Sequence, residues 1–320
     1  PELSGVLFWV FWVWVLARSI SGGLVPAGIA ASVVLALLIM VLGPDLSLLT
    51  RWSLRFCRLY VAGSFALSAF VTVNAAEIPE NFGLKLTEFG YPFSGLASHP
   101  NPLGALAALG LILEFHRPNS RSTWIWRLLF TITLVVSYSF GAAGALIVSL
   151  AALSAAWFSW PGKRKQSIIL GVTLLLSSAT ALLLLLGDGR LKSIDSFTTG
   201  RVELWQSLLP STPVELAVGS GIQQFGGSFP NNAHNDWLQA LTVGGLVAVL
   251  LLTAALIAKI SELARLERSD RVLLVSLLVF GLTLGLVEVP QTPSFSISIV
   301  FVILLWFSRP QQLLAQRSAM

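Results

Sequence analysis

A single cysteine, Cys57, stands in a chain of 320 residues. It excludes an internal disulfide and any cysteine-based metal cluster. Charge is scarce as well. Only 11% of the residues are charged while 55% are hydrophobic, and mean hydropathy is +0.80; a soluble globular domain carries roughly 25% charged residues. A water-soluble fold cannot hide this much apolar side chain, so the sequence predicts lipid as the solvent. The apolar runs are long and mostly lack the alternation over ~10 residues of a barrel strand, which favours spanning helices over a transmembrane barrel. The expected class is an all-α polytopic membrane protein, with one integral-membrane domain over residues 1–320. The net charge of +5 and pI near 9.8 would suit nucleic acid in a soluble chain. In a membrane protein basic residues set topology instead, and no nucleic-acid partner is expected.

Ten apolar segments run at about 5–20, 23–43, 59–76, 102–116, 124–139, 141–160, 167–187, 237–258, 272–287 and 295–308. Several are shorter than the ~20 residues of a full span, so 124–160 also reads as one bent hairpin. The first run ends in Arg18, not in a small-residue cleavage site, so no cleavable signal peptide is expected. Lysine and arginine set the orientation. Fifteen of the 20 fall in alternate connections and the C-terminal tail, the remainder being Arg18, Lys85, Arg190, Lys192 and Arg201. Cytoplasmic connections are enriched in Lys and Arg, which predicts both termini inside and the segment 188–236 outside. That segment is too long for a mere connector. Its Gly, Pro, Ser and Asn content predicts an ordered loop with short helices, one of them at Thr198–Leu209 with Thr199 as N-cap.

Only three histidines are present. His116 falls among arginines on the inner side, which predicts a solvated or headgroup-facing role; His99 and His234 fall outside. His234 lies in "NNAHNDWLQALTVGGLVAVLLL", where a polar run enters a long apolar segment, and Asn231 or Asn232 is placed to cap its first turn. Outward segments also supply Arg190, Arg201, Glu203, Asn235, Asp236 and Glu288, and the turn near Ser139 adds hydroxyls from Ser137, Tyr138 and Ser139. Glu288 ends an apolar span, where an acid is costly without a partner. Arginines beside a histidine bind an anionic group and move a proton near neutral pH. The plainer alternatives are an interfacial histidine beside Trp237 and a loop ion pair of Arg201 with Glu203 or Asp195.

"GRVELW" (Gly200–Trp205), "GSGIQQFG" (Gly219–Gly226) and then "AHNDWLQALTVGGLVAVLLL" resemble, in order and spacing, the O-antigen ligase and O-antigen polymerase family; "HPNPLGALAALGL" (His99–Leu111) is similar to the family's entry to a middle span. The motif-bearing part covers about residues 95–260. The resemblance implies a GT-C-like glycosyltransferase of the bacterial inner membrane with its active site on the periplasmic face. The implied donor is an undecaprenyl-diphosphate-linked glycan; the acceptor is lipid A-core for a ligase or another carrier-linked glycan for a polymerase. By matching position, His234 corresponds to the family's essential histidine and Arg201 to its Gly-Arg arginine. Arg190, Asn235, Asp236, Trp205, Glu288 and His99 are the expected substrate-binding residues around them.

Two departures stand out. Phe140 occupies the place of an arginine in the family's Ser-Arg-Gly, so either Arg190 or Arg18 supplies the second positive charge or the donor is held differently. Ten spans stand against the family's usual twelve or so, which fits a truncated or compact member. The expected chemistry is metal-independent and cofactor-free. Arginine forks stabilise the leaving diphosphate, His234 takes the acceptor's proton, and in-line attack inverts the anomeric carbon. Asp236 beside His234 is the alternative metal position. Some relatives carry the label of bicarbonate transporters, so a small-anion transporter is the competing function. It predicts midplane charges and paired broken helices, whereas the ionisable residues here gather at span ends.

Overall fold

Phe8, Phe11, Trp12 and Val15 repeat at the three- and four-residue spacing that lines one helix face, and together they form the buried stripe of α1 (Leu3–Ser21). The computed structural model describes residues 2–21, 27–73, 93, 95–97, 100–157, 205, 208–210, 212–221, 234–286, 288 and 298–309. These residues are almost entirely helical and contain no strand. The helices after α1 are α2 (Ala27–Leu42), α3 (Leu46–Val73), α4 (Pro100–Phe115), α5 (Arg121–Val136), α6 (Phe140–Trp157), the short α7 (Pro213–Val218), α8 (Asp236–Leu263), α9 (Arg268–Leu284) and α10 (Ser298–Val302), the last running into a π-helical turn at Ile303–Phe307.

Among the described residues, α1 and α8 are long and apolar enough to cross a membrane, while Ile29–Leu42, Pro100–Phe115 and Phe140–Ala152 are apolar but shorter. The expected segment 167–187 lies outside the described residues. The others have helical counterparts with shifted ends. α3 begins well before the expected 59, so Arg51, Arg55 and Arg58 are helical and not in a loop. Residues 124–157 fall in two helices, joined by Ser137, Tyr138 and Ser139, with Tyr138 at φ +50°.

The chain divides into two compact units. One comprises Pro1–Gly43, Phe158–Leu266 and Gly281–Phe295; the other comprises Pro44–Trp157, Glu267–Phe280 and Ser296–Met320.

In the first unit α1 runs antiparallel along α8. At one end the Ser4 amide and hydroxyl donate to the two carboxylate oxygens of Glu262 at 2.9 and 2.5 Å. Lys259, 2% exposed, stands 3.6 Å from the same carboxylate, so a buried cation is neutralised where α8 meets the start of α1. At the other end the Arg18 guanidinium donates to the Gly219 carbonyl at 2.7 Å.

In the second unit α4 is buried over Leu103–Glu114 and packs against α3, α5 and α6. An apolar helix without a polar face has to sit at the centre of its bundle. Arg58 reaches Glu114 from α3, and Arg127 of α5 donates to the Glu114 carbonyl and to Asn119 Oδ1, both at 2.8 Å.

Candidate functional site

The polar run before α8 ends in a tight corner. His234 has φ +49°, one of two non-glycine residues with positive φ among those described. Such a conformation costs an L-residue roughly 1–2 kcal/mol and persists only where neighbours fix it. The neighbours here are identifiable. Asn235 is the N-cap of α8: its side-chain oxygen accepts from the amides of Trp237 and Leu238, each at 3.0 Å, and its Nδ2 donates to the Leu286 carbonyl at 3.2 Å. The Asp236 amide donates to the Gly285 carbonyl at 2.7 Å. Asn235 therefore replaces the expected Asn231 or Asn232 as the cap, because its own side chain closes the first turn; His234 stands just outside the helix, not on its first turn.

This corner aims His234 at the chain beyond α9. His234 Nδ1 lies 3.2 Å from Glu288 Oε2, with the two side chains 33% and 19% exposed. An ionised carboxylate only accepts hydrogen bonds, so with Glu288 ionised this contact favours the tautomer that carries the proton on Nδ1 and leaves Nε2 as the basic nitrogen. A carboxylate, an imidazole held in one tautomer and partial solvent access are the parts of a general base. Asn235 and Asp236 are each 1% exposed. The sequence places both among substrate-binding groups; in the structure they build the corner that presents His234. Gly285 belongs to the same construction and carries no sequence signal of its own. A Cβ there would lie 2.6 Å from Asp236 Oδ2, so a larger residue would make the Asp236 carboxylate shift.

Below the corner α8 is broken. Gly245 has φ +66° and ψ −164°, an extended left-handed conformation open essentially to glycine alone. The break leaves carbonyls of the preceding turn without their usual donors four residues on. Others replace them: the Ser220 amide donates to Thr242 O at 2.9 Å, the Gly221 amide to Val243 O at 3.0 Å, and Trp14 Nε1 to Gly244 O at 2.8 Å. Thr242 Oγ1 donates to Leu208 O at 3.1 Å. The segment carrying α7, itself capped by Thr212 and Glu215 in a reciprocal capping box, is thereby fastened to the upper part of α8. Hydropathy alone reads this apolar run as one unbroken helix. The pair Gly244–Gly245 within it marks the place where the helix stops.

Arg18 reaches the same end of the unit through Gly219, and its Nε is buried with no hydrogen-bond partner among the described residues. Trp205 is 7% exposed, a core residue with its carbonyl bonded to the Leu208 amide at 3.3 Å. His99, Arg190, Arg201 and the Thr199 cap lie outside the described residues, as do Asn231 and Asn232. Of the expected site, the structure thus brings together His234, Asn235, Asp236 and Glu288. A scan against protein-family models and searches of curated proteins and solved structures found no match to this chain.

Proposed function

We propose that the chain is a polytopic membrane glycosyltransferase of the O-antigen ligase and polymerase type, spanning the bacterial inner membrane about ten times with both termini cytoplasmic. The observation that carries this reading is the His234–Glu288 pair at 3.2 Å, mounted where a polar segment enters an apolar helix. A donor anchored in the bilayer by a polyprenyl chain presents its diphosphate at headgroup depth. A base at the mouth of a span is in reach of the sugar just above it. In the proposed step the acceptor hydroxyl of lipid A-core or of a second glycan attacks the anomeric carbon. His234 Nε2 takes the hydroxyl proton as the new C–O bond forms. The old bond breaks with its electron pair going to the undecaprenyl diphosphate, and configuration inverts. Arg201 and Arg190 are the proposed holders of the leaving group, and Arg18, on the His234 end of the first unit, is the further cation. No cofactor and no metal enter this scheme.

The test is transfer by purified protein given a polyprenyl-diphosphate-linked glycan and candidate acceptors. His234→Ala should insert normally and lose roughly 10²–10⁴-fold in rate. Arg201→Lys should be nearly as damaging as Arg201→Ala, on the order of 2–4 kcal/mol of transition-state stabilisation, because a point charge does not replace a bidentate fork. Wild-type transfer by the His234→Ala protein would overturn the assignment. Orientation is tested by labelling a cysteine at Ser228 in a Cys57-free background, which should react with an impermeant reagent from the periplasmic side.

One observation favours the second reading, a small-anion transporter. Broken helices that expose backbone groups are common at transport sites, and α8 is broken at Gly245. Here the carbonyls beside the break accept from Ser220, Gly221 and Trp14, and a carbonyl oxygen, as an acceptor, is no ligand for an anion, so these groups do not favour bicarbonate. Uptake of labelled bicarbonate into proteoliposomes, unaffected by His234→Ala, would reverse that preference.

A further inference from the structure

We propose that the arginine-bearing start of α3 binds the headgroup of an anionic phospholipid. This inference rests on the membrane reading above but not on the transfer reaction, and it concerns the second unit alone.

α3 has 28 residues, about 42 Å at 1.5 Å per residue. The apolar core of a bilayer is ~30 Å thick, so on the membrane reading an α3 that crosses with little tilt has one end in the headgroup layer. The sequence marks which end. Arg51, Arg55 and Arg58 follow one another at the i, i+4, i+7 spacing of one helix face, and the turns after them carry no charge. Arg58 meets Glu114 next to the last residue of α4. The turns of α3 before Arg58 therefore run past the end of that helix, for roughly 18 Å at the same rise.

Leu54, Cys57 and Val61 are buried against the rest of the unit, at 4%, 0% and 0% exposure. The opposite arc is divided in two. At ~100° per residue, Arg58, Arg51 and Arg55 cover one sector of about 60°, and Leu59, Trp52 and Phe56 cover the next. Trp52, Phe56 and Leu59 are exposed. A ligand that is anionic at one end and apolar at the other fits both sectors at once. A nucleic acid or an acidic peptide would use only the first.

The cations are also held ready. The Arg55 guanidinium carbon lies 5.3 Å from the centre of the Trp52 ring, and that of Arg58 lies 5.2 Å from the Trp126 ring. Ring stacking fixes the plane of each guanidinium and leaves its edge for oxygen. Arg58 uses Nε and Nη2 on Glu114 Oε1. Arg51 and Arg55 are exposed; Asp45, whose carboxylate feels the Arg51 charge, caps the first turn of α3 through its bond with the Leu48 amide at 2.8 Å. Arginine is the side chain whose fork matches two phosphate oxygens, and all three cations here are arginine.

Native mass spectrometry of the purified protein, offered phosphatidylglycerol and phosphatidylcholine in equal amounts, tests the site. The wild type should retain phosphatidylglycerol at least about tenfold over phosphatidylcholine, tenfold being ~1.4 kcal/mol. Arg51→Gln/Arg55→Gln, which changes exposed residues only, should bring the two lipids to parity; Arg265→Gln should not. Equal retention by the wild type, selectivity that survives in the double variant, or loss of the adduct to excess inorganic phosphate would each overturn the proposal. Alkaline carbonate extraction of the source membranes separates the two levels. Protein washed off by carbonate removes the membrane reading, whereas protein retained without lipid selectivity removes this site alone.

Discussion

His234 and Glu288 are 54 positions apart in sequence, and their side chains meet at 3.2 Å. The contact is held by two bonds to the main chain beside it: Asp236 N to Gly285 O, and Asn235 Nδ2 to Leu286 O. The segment after α9 is thereby pinned to the residues at the start of α8, and the imidazole is oriented by backbone.

The pair makes a graded prediction. Glu288→Gln keeps an oxygen that accepts from Nδ1 but removes the charge that stabilises the imidazolium. Glu288→Ala removes both. In a transfer assay Glu288→Gln should be impaired and Glu288→Ala more so, each short of the roughly 10²–10⁴-fold loss expected from removing the base itself in His234→Ala. Equal rates for wild type and Glu288→Ala would show that the contact does not orient the base.

Gly245 makes a prediction about stability. A Cβ at this position would fall on the backbone of Ala217, and φ is +66°. Gly245→Ala should cost at least the roughly 1–2 kcal/mol of an L-residue in left-handed space, and more if the segment carrying α7 is displaced. Gly144 of α6 is the control: a Cβ added there would meet nothing within 4 Å, and Gly144→Ala should be neutral or stabilising by about 0.5–1 kcal/mol. Thermal unfolding in detergent should rank Gly245→Ala lowest. Equal midpoints for the two variants would refute the strained-break account.

These residues show what is legible in the sequence and what is not. The helical class, the places of most helices and the pairing of a histidine with polar neighbours at the start of α8 follow from periodicity and composition, which act locally. The partner of His234 is legible only as a costly acid in need of company, since nothing in "GLVEVP" names residue 234. The cap is ambiguous in sequence because several asparagines precede α8 and only the backbone geometry selects Asn235. The break at Gly245 escapes hydropathy, which does not register hydrogen bonds supplied from another segment. Arg51, Arg55 and Arg58 read as loop when charge is taken to end a helix, whereas α3 carries them outward on one face.

Asp45 gives a prediction with a pH sign. Burial pushes its pKa up, but hydrogen bonds from the Ser47 side chain and the Leu48 and Ser47 amides, with the Arg51 charge, outweigh this and hold the carboxyl below its ordinary value. A lowered folded-state pKa means stability that is present above the ordinary carboxylate range near ~3.9 and lost as pH falls through the lower folded value. Asp45→Ala should cost about 0.5–1 kcal/mol at neutral pH as a lost cap, and the gap to wild type should close in acid. A gap that is unchanged at acid pH would assign the loss to packing and not to the charge.

The Arg58–Glu114 pair makes the last prediction, and it is an asymmetric one. Glu114 is 0% exposed, whereas Arg58 is 19% exposed and stacked on Trp126. Glu114 Oε2 has no hydrogen-bond partner among the described residues, so the Oε1 contact to Arg58 Nε and Nη2 is the principal compensation for its charge. Removing one partner of a buried pair costs about 3–5 kcal/mol, because the other charge is stranded. Arg58→Met strands a carboxylate with no route to water. Glu114→Gln strands a guanidinium that retains an indole face and some solvent. Arg58→Met should therefore be the more destabilising of the two, towards the upper end of that range. The double variant Arg58→Met/Glu114→Leu strands no charge and should recover most of the loss, as apolar replacement of buried ion pairs often does. A double-mutant cycle on thermal stability reads the coupling directly. If Arg58→Met and Glu114→Gln cost the same, burial of the carboxylate is not what makes the pair necessary. If the double variant is worse than either single one, the pair is held for its own attraction and not to relieve a buried charge.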